Sequence, residues 1–154
     1  MNRRQFMQYV NHFNNRRWDK VVSYFRPDVI LDYPDNFMGP QIPGVTGNTL
    51  RGPKQFIANY EALTANVREV LNVGTFISRG RQFCVELITE FHVFRTPPQS
   101  APGNQWKEGE VHILNQNVLY DLDEKGKFKH IRIFHHRHLD PERWLRRRQK
   151  VGLK

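Results

Sequence analysis

From about residue 69 onward, hydrophobic residues recur at every second position, and no other feature of the sequence constrains the fold as much. Segments at about 69–79, 82–95, 108–122 and 127–138 each alternate, the period of a strand whose two faces meet different surroundings. Between them stand Arg79-Gly80-Arg81, the polar stretch TPPQSAPGNQ at 96–105, and Asp123-Glu124-Lys125-Gly126, which is hairpin-turn chemistry. The first part of the chain keeps the helical period instead. Phe6, Tyr9, Val10 and Phe13 mark a helix over 2–16. Trp18, Val21, Val22 and Phe25 continue that pattern until Pro27 ends it. Val29, Leu31 and Tyr33 alternate as a short strand, and 34–49 reads as a long Pro/Gly loop. Gly52-Pro53 opens another helix with Phe56, Ile57, Tyr60 and Leu63 on its buried stripe. The order helix, helix, strand, helix, then four antiparallel strands is an α+β layout. Three N-terminal helices cover one face of a strongly curved sheet, and such a cone encloses a cavity suited to a small apolar ligand.

The chain has 154 residues, which fits a single domain over 1–140 followed by a basic tail at 141–154. A hydrophobic share of 38% with eleven Phe supplies a real core and argues against global disorder. The formal net charge is +9, but the arginines and lysines concentrate at the two ends, where charge is ordinarily solvated. Nucleic acid is therefore not the expected partner, and the last residues are expected to be dispensable for folding. No apolar run is long enough for a membrane span, and the N-terminal stretch lacks the apolar core of a secretory signal. Cys84, the single cysteine, allows no internal disulfide and points to a reducing, cytoplasmic setting. Neither GxGxxG nor a P-loop pattern is present, so no nucleotide cofactor is expected. The HHRH run is too weak a motif for a metal centre, and none is expected.

Strand parity sorts the polar residues into candidate sets. On the last strand His130, Arg132, Phe134, His136 and His138 share one side, and Ile131, Ile133 and His135 the other. If the first row faces the cavity, Arg132 can stabilise negative charge and His136 can move a proton; if the isoleucines face inward, the polar row faces water. On the 82–95 segment Glu90 and His92 lie on one side, two residues apart, and can form a pair. On 108–122, Asn115 and Asn117 stand among aliphatic residues, as orienting groups in a mainly apolar pocket do. Tyr33 ends the first strand, with a hydroxyl able to donate to a substrate oxygen.

This order, with WDKVVSYFRPDVILDYPDN after the first helix and GKFKHIRIFHHRHLDP near the end, resembles the nuclear transport factor 2-like superfamily over roughly residues 4–140. Within it the chain looks most like SnoaL-like polyketide cyclases, ketosteroid isomerases and scytalone dehydratases. The likeness to scytalone dehydratase places Tyr33 on a tyrosine that orients the catalytic water, Asn115 on a ligand-binding asparagine and His92 on a catalytic histidine. Phe13-Asn14 replaces that family's catalytic tyrosine–aspartate pair, so Phe13 is read as a wall of the pocket. Its second histidine falls near Leu71. The SnoaL-like likeness puts His136, two residues after Phe134, where relatives keep a catalytic polar group.

The resemblance implies a cofactor-free isomerase, dehydratase or cyclase. It would act by general acid–base chemistry on an apolar carbonyl intermediate, a polyketide or terpenoid of secondary metabolism. The catalytic set is then His136, Arg132, His92, Glu90 and Tyr33, with Asn115, Asn117, Phe134 and Phe13 binding substrate. The alternative is a non-catalytic ligand-binding or protein-interaction domain of the same fold. A homodimer through the open sheet face is expected in either case, because both faces of the 82–95 segment carry apolar residues and one helical layer covers only one.

Overall fold

The computed structural model describes residues 1–34, 45 and 47–150. Its elements are α1 (Arg3–Asn14), α2 (Trp18–Val22), β1 (Phe25–Asp32), β2 (Thr49–Arg51), α3 (Gly52–Thr64), β3 (Val67–Arg79), β4 (Gln82–Val93), β5 (Val111–Leu122), β6 (Phe128–Leu139) and α4 (Pro141–Lys150). Most of the 34–49 loop lies outside the described residues.

The four alternating segments are the four long strands of a six-stranded sheet ordered β2-β1-β6-β5-β4-β3. β3 to β6 pair antiparallel, whereas β1 runs parallel to β6. The second helix is shorter than its pattern implied. It stops at Val22, and Phe25 already belongs to β1, which carries Pro27 within it. Pro27 has no ladder partner, because the β1–β6 register skips from Phe25 to Ile30.

Two of the sheet's register shifts bear on the polar residues. In β3 the register jumps between Val73 and Phe76, so Gly74 and Thr75 together face Glu86 of β4. A side chain at Gly74 would meet the Glu86 carboxylate, since a Cβ there would sit 2.5 Å from Oε2. In β6, Asn115 pairs with Arg137 and Gln116 with His135, which leaves His136 as the extra residue. Bulges of this kind bend the strand that carries them and strengthen its twist.

α1 closes the β3 edge. The Asn14 amide donates to the Leu71 carbonyl at 3.0 Å and accepts from the Leu71 N–H at 2.8 Å, as a neighbouring strand would. Arg3 reaches the Gly74 carbonyl at 2.7 Å. A capping box between Asn2 and Gln5 starts the helix. On its inner side Phe6 and Tyr9 join an aromatic cluster against the sheet. Phe83 and Tyr120 stack at 4.4 Å, and Phe6, Tyr9 and Phe128 pack around them.

The segment expected as a solvated basic tail is instead a helix, Pro141–Lys150, lying across the outer face of the sheet. Asp140 starts it, accepting from the Arg143 N–H at 2.8 Å. Leu145 is half-buried, and Trp144 and Arg148 reach down to β4, so the helix has a reason to dock that its charge conceals.

Candidate active site

Between α1, α3 and the inner face of the sheet lies a cavity of about 50 Å³, with seven aromatic side chains in its wall. β1 contributes Leu31 and, just past its end, Tyr33; α1 contributes Tyr9 and Phe13; α3 contributes Asn59 and Tyr60. The inner rows of the long strands supply Glu69, Leu87, Phe91, Gln116, Tyr120 and Ile133. Pro102, from the loop between β4 and β5, closes one side. That loop is held by Trp106, which packs on Gly103 and against Phe91 with ring centres 5.0 Å apart. A Cβ at Gly103 would meet the indole at 2.8 Å, and its φ of +77° also favours glycine.

Among the described residues Glu69 is the one acidic residue on this wall. Its Oε2 is sealed from solvent and has no hydrogen-bond partner among the described residues. Burial pushes its carboxyl up to about 8. At neutral pH the group is therefore mostly a neutral acid. Tyr33 and Tyr60 face each other at 3.3 Å between hydroxyl oxygens, and burial drives both well above the ordinary phenol range. They are fixed neutral donors. One O–H is shared between them, so one remains for another acceptor. Asn59 adds a buried Oδ1 with no partner. The Gln116 Oε1 accepts from the Thr89 hydroxyl at 2.8 Å, which orients its amide. One carboxyl, four tyrosines and two amides thus stand in an otherwise apolar lining.

Of the residues expected to form the site, Tyr33 and Phe13 line this cavity. The other seven do not. Ile131 and Ile133 face inward on β6, which puts Arg132 and Phe134 outside. The bulge at His136 then breaks the alternation that was to align His130 through His138: Arg132 pairs with Leu119, but His138 pairs with Leu114. His136 is exposed at the bulge. On β5 the inward row is Gln116, Val118 and Tyr120, so Asn115 and Asn117 also point outward. Arg132 donates to Asp121 at 2.6 Å within an outer polar ladder. There His130 bonds Asp32 at 2.6 Å and Thr49 donates to the same aspartate at 2.6 Å.

Glu90 and His92 do pair, at 2.8 Å, but beneath α4. Glu90 is fully buried, and both its oxygens accept from Arg148 at 2.8 Å. Trp144 Nε1 and Asn72 Nδ2 each donate to it at 3.0 Å. Burial alone would raise this carboxyl, but the hydrogen bonds from His92 and Trp144 and the Arg148 charge outweigh it and hold the group down at about 2. Glu90 is therefore a fixed anion in a clamp and a poor proton carrier at neutral pH.

Glu69 itself escaped the sequence reading. Its signal was present: Val67, Glu69, Leu71 and Val73 form one row, and Glu69 is the only charged member of it. Gln116 is likewise the polar exception in Leu114, Gln116, Val118, Tyr120 and Leu122.

By sequence, neither a protein-family profile nor a curated protein matches the chain. By structure, it is similar to a candidate polyketide cyclase from Xanthomonas campestris pv. campestris. That match has a TM-score of 0.64 and 16% identity over 90% of this chain and 89% of the other. The epoxide hydrolase/cyclase-like enzyme SalBIII, of pyran ring formation in the polyether salinomycin, superposes with a TM-score of 0.60 and 14% identity, over 85% and 87%. A nuclear transport factor 2-like protein of unknown function from Burkholderia pseudomallei K96243 gives 0.63 and 18%, over 93% of both chains. The chain has the nuclear transport factor 2-like fold, the α+β cone that polyketide cyclase, epoxide hydrolase and ketosteroid isomerase neighbours also adopt.

Proposed function

We propose that the protein is a cofactor-free acid–base enzyme in which Glu69 delivers a proton to an oxygen of a compact, largely apolar substrate. One observation carries the reading: a carboxyl with an unpartnered oxygen stands in an aromatic cavity, where burial keeps it protonated near neutral pH. An orphaned buried polar atom is costly unless something satisfies it, and a substrate oxygen would. In the ground state Glu69 holds its proton, Tyr33 or Tyr60 donates to the same or a neighbouring oxygen, and Asn59 accepts from a substrate O–H. In the reacting step Glu69 gives up the proton as the C–O bond breaks, and the tyrosine hydroxyl steadies the developing charge. Loss of that oxygen as water, with the Glu69 carboxylate then taking the proton from the neighbouring carbon, is a dehydration; capture of the carbon centre by an internal hydroxyl, whose proton returns to Glu69, is a cyclisation. A proton donor suits both better than it suits an isomerisation, which begins with proton abstraction.

The ring-forming neighbours support the cyclase branch, and a polyketide or terpenoid intermediate fits the aromatic wall. The free space holds only a few water-sized molecules, so the substrate is compact or the walls part to admit it. Among the residues first expected to carry the chemistry, Tyr33 keeps a role at the substrate oxygen and Phe13 as a wall.

The test is turnover with a panel of hydroxy-ketones and epoxy-alcohols of one or two rings. Glu69→Gln should lower kcat by about 10²–10⁴, and the wild-type rate should fall as pH rises through about 8, where the acid loses its proton. An unchanged rate in Glu69→Gln would remove the assignment. His136→Ala and His92→Ala are the comparison variants, expected to keep the rate.

A further inference from the structure

A second concave surface lies on the opposite side of the sheet. Its volume is about 1030 Å³, and its walls are α1, the β3 edge, and α4 with the strand end that leads into it. It shares only Leu71 with the lining of the inner cavity, whose other residues are all different. Five arginines line it: Arg3, Arg137, Arg143, Arg147 and Arg148. Against them stand the carboxylates of Glu86 and Asp140. Arg148 is held by the buried Glu90, and the charge of Arg137 reaches Glu86. Arg3 is bound to backbone carbonyls and keeps its charge. Among the described residues, neither the Arg143 nor the Arg147 guanidinium has a carboxylate partner. The floor between them is apolar, with Val10, Val70, Ile88 and Trp144.

Asn115 gives an independent pointer to an occupant. It lines the groove and is only 4% exposed. Its Nδ2 donates to Glu86 Oε1 at 2.9 Å, which fixes the amide so that Oδ1 must accept. That Oδ1 is buried and has no donor among the described residues. Unpaired cations, an apolar floor and a buried acceptor waiting for an N–H or O–H define a ligand by its complement.

We propose that this groove is a second ligand site, taking an amphipathic organic anion. Its acidic head lies between Arg143 and Arg147 on one wall and Arg3 on the other, a neighbouring N–H or O–H donates to Asn115 Oδ1, and its apolar body covers the floor. Arginine forks suit a carboxylate or phosphate head bidentately. The Glu90 clamp holds α4 in place, so the arginine wall is preformed and binding does not have to order it.

The test uses N-decanoylglycine, which has the anionic head, the chain and an amide N–H, and N-decanoyl-N-methylglycine, which lacks only that N–H. Both are titrated calorimetrically, below micelle formation, into the full chain. N-decanoylglycine should bind, and at least tenfold more weakly to R143Q/R147Q, a pair of neutral substitutions that leaves the helix its good helix formers. The N-methyl analogue should bind the wild type several-fold more weakly, and that difference should vanish in Asn115→Leu. Glu69→Gln should bind as the wild type does, with amide shifts on α4 and β3. Equal affinity for wild type and R143Q/R147Q overturns the proposal. So does an affinity lost in Glu69→Gln and kept in R143Q/R147Q, because the probe would then occupy the inner cavity. Absence of any binding overturns it as well.

Discussion

Two glutamates on neighbouring strands have opposite fates, and the difference is one of partners. Glu90 is fully buried but surrounded by His92, Trp144, Arg148 and Asn72, and stays charged. Glu69 has a sealed oxygen with no partner, and holds its proton. The consequences for stability have opposite signs. Glu69 has a folded pKa of about 8, above its ordinary value of 4.5 in the unfolded chain, so between those limits the folded state binds the extra proton. Stability should therefore fall as pH rises through that window, by up to about 1.4 kcal/mol per pH unit. Glu90, held down at about 2 from 4.5, stabilises the fold above its unfolded pKa and loses that contribution as pH falls through the same interval. Urea unfolding from pH 5 to 8 should show the Glu69 slope in the wild type, and a flatter profile in Glu69→Gln. Equal slopes in the two proteins would mean that Glu69 titrates normally. At this scale the sequence was only half readable. The residue types for an acid–base site were visible, but a carboxylate at the start of a strand looks the same whether it faces a cavity or water. The row in which it sits was the usable clue.

At the level of elements, the four long strands and the helices α1 and α3 were legible because each keeps one period over many residues. The parity of β5 and β6 was not. Both faces of the sheet are partly covered, the inner by α1 and α3 and the outer by α4, so apolar residues occur in both rows. Ile113, on the outer row of β5, is only 1% exposed. The bulge at His136 has no signature in a run of histidines, and it cancels a parity argument carried past it. α4 was hidden by its composition, since Trp144 and Leu145 are its main apolar residues and arginines dominate the rest. Its docking makes a clear expectation. Arg148→Ala removes a charged donor from a fully buried carboxylate and should destabilise the fold by about 3 kcal/mol. That corresponds to a fall in Tm of roughly 6 °C or more for a chain of this size. Truncation after Leu145 should do at least as much. Calorimetric scans giving the wild-type Tm for both variants would show that α4 is a solvated end after all.

For the molecule as a whole, the question is what covers the rest of the outer face. α4 lies over the part near Glu90 and Ile113, and among the described residues no other element covers the remainder of that face. There Ile77, Cys84 and Leu119 pair across β3, β4 and β5 in one row, with Ile77 65% exposed. Phe134, on the same face of β6, is 39% exposed. Large apolar side chains grouped on an uncovered sheet face mark an association surface. Such a face can meet a second copy of itself about a two-fold axis. The expected assembly is therefore a homodimer in which the two outer faces meet around Phe134 and Leu119, leaving both inner cavities directed away from the contact. The polar ladder of Asp32, His130, Asp121 and Arg132 would form the rim, where paired charges fix register more than they add affinity. Multi-angle light scattering at micromolar concentration should give twice the chain mass. Phe134→Glu, which puts a charge at the centre of the contact, should give the chain mass while the Tm-independent far-ultraviolet spectrum stays that of the wild type. A wild-type monomer at those concentrations, or a Phe134→Glu dimer, would place the contact elsewhere or remove it.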